Sequence, residues 1–238
     1  MKSKIAGIVL LGLLSTATWA AETNVAFKTE QDKVSYAIGL QMGQDFKRQG
    51  LTLNTGLFAQ GLQDGLSAAS GKMTEQQVQD TLTRFRKDLI TKKQAEIKAL
   101  AETNKKEGAK FLTDNKVKSG VVTLADGLQY KVLVAGKGAQ PKEGDSITVN
   151  YSGKFLNGSE FDSSYKRGKP NVFVLSKELI PGWVEALKLM KAGSSWEVYV
   201  PANLGFGERG VGPIGPNQVL VFKIDLISVK PVVAAIKK

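Results

Sequence analysis

Apolar residues recur at helical spacing in the first third of the chain and at strand spacing in the second half, so the chain changes class along its length. Residues 31–70 predict two short helices. Val34, Ala37, Ile38, Met42 and Phe46 form one face of the first, with Tyr36 and Leu40 beside them. Leu57, Phe58, Leu62 and Leu66 form the face of the second, which Asn54 is placed to cap. Gly39 and Gly43 are four apart, as are Gly61 and Gly65. A glycine inside a helix costs about 1 kcal/mol relative to alanine, so paired glycines on one face suggest the close approach of another helix backbone. Two helices this short cannot bury that much apolar surface alone. A partner chain is the expected cover, and packing against the C-terminal domain of the same chain is the alternative.

Thr74, Glu75 and Gln77 make an N-terminal start for a much longer helix. Val78, Leu82, Phe85, Leu89 and Ile97 give it a narrow apolar stripe that fades after Leu100. At about 1.5 Å per residue, some forty residues would reach roughly 60 Å. The pattern predicts a rod between two modules rather than a buried helix or a sustained coiled coil. From Ser119 onward the texture is short β-branched strands broken by glycine and proline: Leu128–Val134, Ser146–Phe155, Asn171–Val174, Ser195–Val200 and Val219–Leu226, with one brief helix at Gly182–Met190. That mixture predicts an α+β fold in which an antiparallel sheet curls around a short helix.

Composition narrows the chemistry. The 238 residues are 42% hydrophobic, enough for a real core, and contain neither cysteine nor histidine. Disulfides, thiolate sites, a cysteine nucleophile and any histidine-dependent triad are therefore excluded, as is the commonest ligand of zinc, iron and copper. The expectation is chemistry without a metal or cofactor. The net charge of +11 is spread thinly, with +4 in residues 74–118 and +3 in 119–230, and no basic block interleaved with aromatics. No nucleic-acid groove is expected. A mildly basic solvated surface is the plain reading, with weak attraction to anionic lipid as the alternative.

Lys2 and Lys4 precede an apolar run from Ile5 to Leu14, followed by small residues and Thr18-Trp19-Ala20. A charged start, about ten apolar residues and small residues near the cut describe a secretory signal peptide, too short for a permanent span of a bilayer about 30 Å thick. The mature chain is expected to begin at Ala21 or Glu22. The predicted organisation is a signal peptide at 1–20, a helical dimerisation domain at 21–73, a connecting helix at 74–118, a β-rich domain at 119–230 and a basic tail at 231–238.

The β-rich domain carries a recognisable order of residues. Val149-Asn150-Tyr151-Ser152-Gly153 is followed by Gly158, Phe161-Asp162-Ser163-Ser164 and Ile180-Pro181-Gly182-Trp183. Val200-Pro201, Gly205-Phe206-Gly207 and Val219-Leu220-Val221-Phe222 come after. Over about residues 120–230 this resembles the FKBP-type peptidyl-prolyl cis-trans isomerases. Together with Asp32-Lys33-Val34-Ser35-Tyr36-Ala37-Ile38-Gly39, the long helix and the signal segment, it looks like the macrophage infectivity potentiator branch of that family. The resemblance implies an exported homodimer in the periplasm of a Gram-negative bacterium, free or in peripheral contact with the outer membrane. Its N-terminal helices would join the two copies, with Tyr36, Ile38, Gly39, Met42, Gly43 and Phe46 at the interface. The implied partners are proline-containing segments of exported proteins and macrolide inhibitors of the FKBP class. The alternative is a chaperone or adhesion module that uses the same cleft for recognition.

Carried over by position, the resemblance gives Asp162, Tyr151 and Phe206 catalytic places. It lines the proline pocket with Phe161, Phe173, Leu179, Ile180, Trp183, Ile214 and Phe222. Trp183 would be the floor, and the Ile180 N–H a donor to a substrate carbonyl. Arg167 is read either as a partner of Asp162 or as an exposed loop residue. Phe206 stands where the family usually has a tyrosine whose hydroxyl bonds the ligand, so the resemblance implies a working isomerase with reduced macrolide affinity. The residue set suits the reaction, because rotation about an Xaa-Pro bond transfers no atom and requires no nucleophile.

Overall fold

The computed structural model describes residues 27–67 and 71–231. The signal segment, its cleavage site and all of the basic tail except Pro231 lie outside the described residues. The chain divides into two compact units, residues 1–75 and 76–238.

The first unit holds α1 (Glu30–Arg48) and α2 (Thr55–Leu66). Helix α1 opens with a reciprocal capping box. The Asp32 N–H donates to Thr29 Oγ1 at 3.1 Å, and the Thr29 N–H donates to Asp32 Oδ2 at 3.0 Å. Asn54 caps α2 by accepting from the Leu57 N–H at 3.0 Å. Phe46 meets Phe58 edge to face at 5.7 Å, joining the two helices. Neither helix contains a buried residue; Tyr36 is 55% exposed, Ile38 56% and Leu66 82%. A Cβ added at Gly39, Gly43, Gly61 or Gly65 would meet nothing within 4 Å. The face that the glycine spacing predicts is present, and among the described residues of this unit nothing covers it.

The second unit begins with α3 (Glu75–Asn115). Its buried residues are Asn104, Gly108 and Asn115, all in its last four turns. Those turns pack on the sheet domain instead of serving as a free spacer. Asn115 Nδ2 donates to Gln129 Oε1 at 3.0 Å, Gln129 Nε2 donates to the Leu112 carbonyl at 2.8 Å, and Phe111 lies 5.8 Å from the Tyr199 ring. Periodicity could not reveal this docking, because asparagine and glycine make it where an apolar stripe would be expected.

Seven strands follow: β1 (Val121–Thr123), β2 (Gln129–Val134), β3 (Ser146–Phe155), β4 (Glu160–Ser163), β5 (Asn171–Val174), β6 (Ser194–Val200) and β7 (Leu220–Lys230). They form one antiparallel sheet in the order β1-β2-β6-β7-β3-β4. Strand β5 pairs with the first half of β3, on the edge that β4 takes over further along. The sequence pattern predicts neither β1 nor β4. The first is three residues long, and the second, Glu-Phe-Asp-Ser, has little of the composition that marks a strand.

Alternation along the inner strands builds the core. Ile147, Val149 and Tyr151 from β3, Val198 and Val200 from β6, and Leu220, Phe222, Ile224 and Leu226 from β7 are all buried. Helix α4 (Pro181–Leu189) covers them with Trp183, Ala186 and Leu187, and Met190 follows at its C-cap. Each such side chain stabilises the fold by about 1.5–3 kcal/mol. Pro181 starts α4, and Gly182 lets that start sit close on β6, since a Cβ there would come within 2.7 Å of Val200 Cγ1. This close approach sets the depth at which Trp183 lies.

On the other side of α4, Glu185 shares a hydrogen bond with Asp126 in the β1–β2 turn. That bond, then burial, then the charge of Asp126 push the Glu185 carboxyl from 4.5 up to about 7. The folded chain therefore holds a proton on Glu185 that the unfolded chain has lost, and stability falls as pH rises from about 4.5 to about 7. Asp126 is held below its usual 3.8 and acts in a lower pH range. Chemical denaturation of wild type across that window is expected to show the decline, and Glu185→Gln to flatten it. Parallel curves for the two chains would refute the assignment.

Candidate active site

The site starts from a break in pairing. The edge of β3 changes partner between Val149, the last residue paired with β5, and Ser152, the first paired with β4. Asn150 and Tyr151 have no strand partner on that edge, and Ser164 fills the gap. The Tyr151 N–H donates to Ser164 Oγ at 2.8 Å, the Ser164 N–H donates to the Tyr151 carbonyl at 2.9 Å, and Ser164 Oγ lies 3.0 Å from Asn150 Oδ1. Ser164 is fully buried. It holds Tyr151 in line where a ladder would otherwise fray.

Further along β3, opposite Gly153 and Lys154, β4 carries a bulge. Lys154 pairs with Glu160 and Gly153 with Asp162, which leaves Phe161 as the extra residue. A bulge re-aims a side chain, so neighbours that would face opposite sides of a regular strand can serve one site. Gly153 makes room for it: a Cβ there would lie 2.7 Å from Phe161 Cζ and 2.8 Å from Phe222 Cε1.

Trp183 is 5% exposed and is met edge-on by three rings. Tyr151 stands 5.0 Å away at 84°, Phe222 5.3 Å at 85°, and Phe173 5.9 Å at 86°. Phe161 is edge-on to Phe222 at 5.7 Å, and Phe155 backs Phe161 at 4.9 Å. Edge-to-face contacts fix orientation as well as distance. The indole N–H is buried without a hydrogen-bond partner. Leu179, Ile180 and Phe206 are partly buried against the same cluster, and Ile214 is buried within it. Among the described residues, no backbone bond uses the Ile180 N–H.

One ionic group stands beside these rings. Asp162 accepts from the Tyr151 phenol at 2.5 Å and is ion-paired through Oδ1 with Arg167. Arg167 also donates to the Tyr151 oxygen at 2.8 Å and to Asn171 Oδ1 at 3.2 Å. Burial opposes the Asp162 charge, but the bonds from Tyr151 and Arg167 and the guanidinium charge outweigh it, so the carboxyl is held below its usual range. Burial and the bond to Asp162 push the Tyr151 phenol above its usual value. At neutral pH the trio is a carboxylate, a guanidinium and a neutral phenol, with no net charge. The loop that carries Arg167 is tied down by Tyr165, whose hydroxyl donates to Asp225, a carboxylate that also accepts from Ser195 Oγ at 2.5 Å.

Every aromatic position singled out for the pocket thus falls in one connected cluster, and Arg167 does pair with Asp162. Sequence reasoning gave Ser164, Asn171 and Tyr165 no role at the site. A polar residue's use depends on what stands opposite it, and only the strand register supplies that.

Residues 137–227 match the family described as FKBP-type peptidyl-prolyl cis-trans isomerase, and residues 31–132 match the domain described as amino-terminal to it. The chain is 49% identical to the outer membrane protein MIP of Legionella longbeachae over 97% of its own length and 99% of the relative's. It is 47% identical to the peptidyl-prolyl cis-trans isomerase Mip of Coxiella burnetii, with the same coverage of each. The crystal structure of FkpA from Escherichia coli superposes with a TM-score of 0.69 at 36% identity, covering 87% of this chain and 99% of that one.

Proposed function

Because the chain belongs to the FKBP-type peptidyl-prolyl cis-trans isomerase family, it accelerates rotation about Xaa-Pro bonds, and we propose that the cleft over Trp183 is where it does so. The observation that carries this reading is the indole floor met edge-on by Tyr151, Phe173 and Phe222, with Asp162 beside it. A planar amide resists rotation by about 18–20 kcal/mol. Twisting it removes the resonance that separates charge across N, C and O, so a dry apolar pocket favours the twisted form over the planar one. The proline ring rests on the indole between the ring edges. The Ile180 N–H donates to a carbonyl of the substrate backbone, Ile214 flanks the entrance, and the Asp162 carboxylate orients the dipole of the rotating amide. Each 1.36 kcal/mol removed from the barrier is worth about tenfold in rate.

NMR exchange on a short Leu-Pro or Phe-Pro peptide tests the site. Residues 21–238 should accelerate cis–trans exchange, and Asp162→Leu should lose most of that acceleration. Equal rates for the two chains would remove Asp162 from the site. Phe206 supplies a ring without a hydroxyl, so macrolide affinity is expected to be low for this family. Phe206→Tyr should raise it about two- to tenfold, the worth of one net hydrogen bond. Unchanged affinity in a titration would mean that the phenol position does not reach the ligand.

The exposed apolar face of α1 and α2 supports a homodimer, with Tyr36, Ile38, Gly39, Met42, Gly43 and Phe46 at the contact. Two clefts carried by one dimer would raise the effective concentration of a client already held by one of them. Sedimentation at micromolar concentration should give a dimer for residues 21–238 and a monomer once residues 21–73 are removed. A monomer in the first case, or a dimer in the second, refutes this. The signal segment, together with a relative named as an outer membrane protein, supports export to the periplasm and clients among exported proteins. The same exposed face favours a second reading, in which the helices hold unfolded chains and the cleft acts on what they deliver.

A further inference from the structure

The loop from Phe206 to Val219 carries Ile214, which is buried in the same cluster as Trp183 and is read above as flanking the entrance of the cleft. Helix α3 bonds to that loop at its closing end and shares a cavity with its opening end. At the closing end, Asn104 is 8% exposed, and its Nδ2 donates to the Pro216 carbonyl at 2.7 Å. The next loop residue answers: Asn217 Nδ2 donates to the Ala101 carbonyl, one helical turn earlier, at 3.3 Å. Asn217 sits at φ 53°, in the left-handed region, and its N–H donates to the Gly207 carbonyl at 2.9 Å, which ties the two ends of the loop together. Gly108 lies under Val219 so closely that a Cβ would stand 2.7 Å from Val219 Cγ2. At the opening end, Gly207 and Glu208 line a cavity of about 310 Å³ with Lys105, Gly108, Ala109 and Leu112 of α3. Between these anchors, Val211 and Ile214 exchange a reciprocal pair of backbone bonds at 2.9 Å each.

We propose that the last four turns of α3 belong to the cleft, and that Asn104 and Asn217 are positioning residues that set where Ile214 stands relative to Trp183. The inference rests on the reading of the cleft given above. The internal bonds of the loop fix its shape. A stretch containing Gly207, Gly210, Gly212 and Gly215 has much conformational freedom to lose, and those bonds alone do not fix its place over the indole. The two asparagines supply that placement through polar bonds to backbone, which are directional in a way that apolar packing is not. Gly215 faces the same stretch of α3, where a Cβ would stand at ordinary contact distance, 3.4 Å from Leu100 Cδ2 and 3.6 Å from Asn104 Nδ2. An entrance residue touches the bound peptide in its ground state and during rotation alike, so its displacement should act on substrate binding and leave the rotation step unchanged.

The test compares the full mature chain with Asn104→Ala, Asn104→Gln and Asn217→Gly, the last of which tolerates the left-handed backbone, removes the side-chain bond and adds backbone freedom. Saturation kinetics on a Leu-Pro peptide are expected to show KM raised about two- to tenfold in Asn104→Ala and Asn217→Gly, the worth of one net hydrogen bond, with kcat unchanged. Asn104→Gln retains the donor and should recover part of the loss. The Ile214 methyl resonance should shift in both bond-breaking variants, whereas a contact that only stabilised the fold would lower the unfolding midpoint and leave KM alone. Wild-type KM with an unmoved Ile214 methyl in the folded variants overturns the proposal. If the wild-type chain does not accelerate exchange, the reading of the cleft fails. The Ile214 methyl then decides the placement by itself, a shift upholding it and an unmoved signal overturning it.

Discussion

The candidate site depends on a single interrupted strand edge. Strand β3 is paired along its whole length with β7 on one side, but on the other it passes from β5 to β4, and at Asn150 and Tyr151 it has neither. Ser164 holds that opening with two bonds to the Tyr151 backbone. A continuous strand at this edge would continue the ladder past Tyr151 and leave no place for the β4 bulge that brings Phe161 and Asp162 to the site. The core and the cleft are consequently the same object seen from two sides. Tyr151, Trp183 and Phe222 belong to the buried cluster and are also the residues proposed as walls and floor of the cleft.

A cleft made of core residues inherits the rigidity of the core. Edge-to-face contacts around Trp183 leave the indole few orientations, and Gly182 fixes how near its helix can come to the sheet. The polar part is equally constrained, since Asp162 is held by two donors and Arg167 by three acceptors. Such preorganisation suits a reaction whose difficulty is rotation about one bond. The enzyme has only to hold still around a substrate that turns, and no catalytic group has to exchange a proton with it.

Much of this was legible in the sequence where burial repeats with a period. The alternation in β3 and β7, the helical spacing of α1 and α2 and the cap at Asn54 all stand as read, because each rests on neighbours within a few residues. The pocket aromatics were legible collectively, through the order in which they recur. What escaped was set by distant partners. Strand β4 looks like a loop until β3 is laid beside it. Ser164 is an ordinary serine until Tyr151 lacks a partner. The polar tail of α3 looks like solvent-facing spacer until Asn104, Gly108 and Asn115 are seen against a proline carbonyl, a valine and a glutamine. Thr29 was missed for a different reason: it precedes a helix start that the apolar pattern alone places too late.

The charge state of the site has a consequence for where such a catalyst can work. Asp162 ionises below its ordinary range, Tyr151 and Arg167 release their protons above theirs, and the chain contains no thiol or imidazole. Every ionisable group at the cleft has been moved away from neutrality in the direction that preserves its present form. Outside a cytoplasm, where acidity and oxidant levels follow the surroundings, the cleft would keep one electrostatic identity. Mild acidification therefore offers no proton switch at this trio of groups.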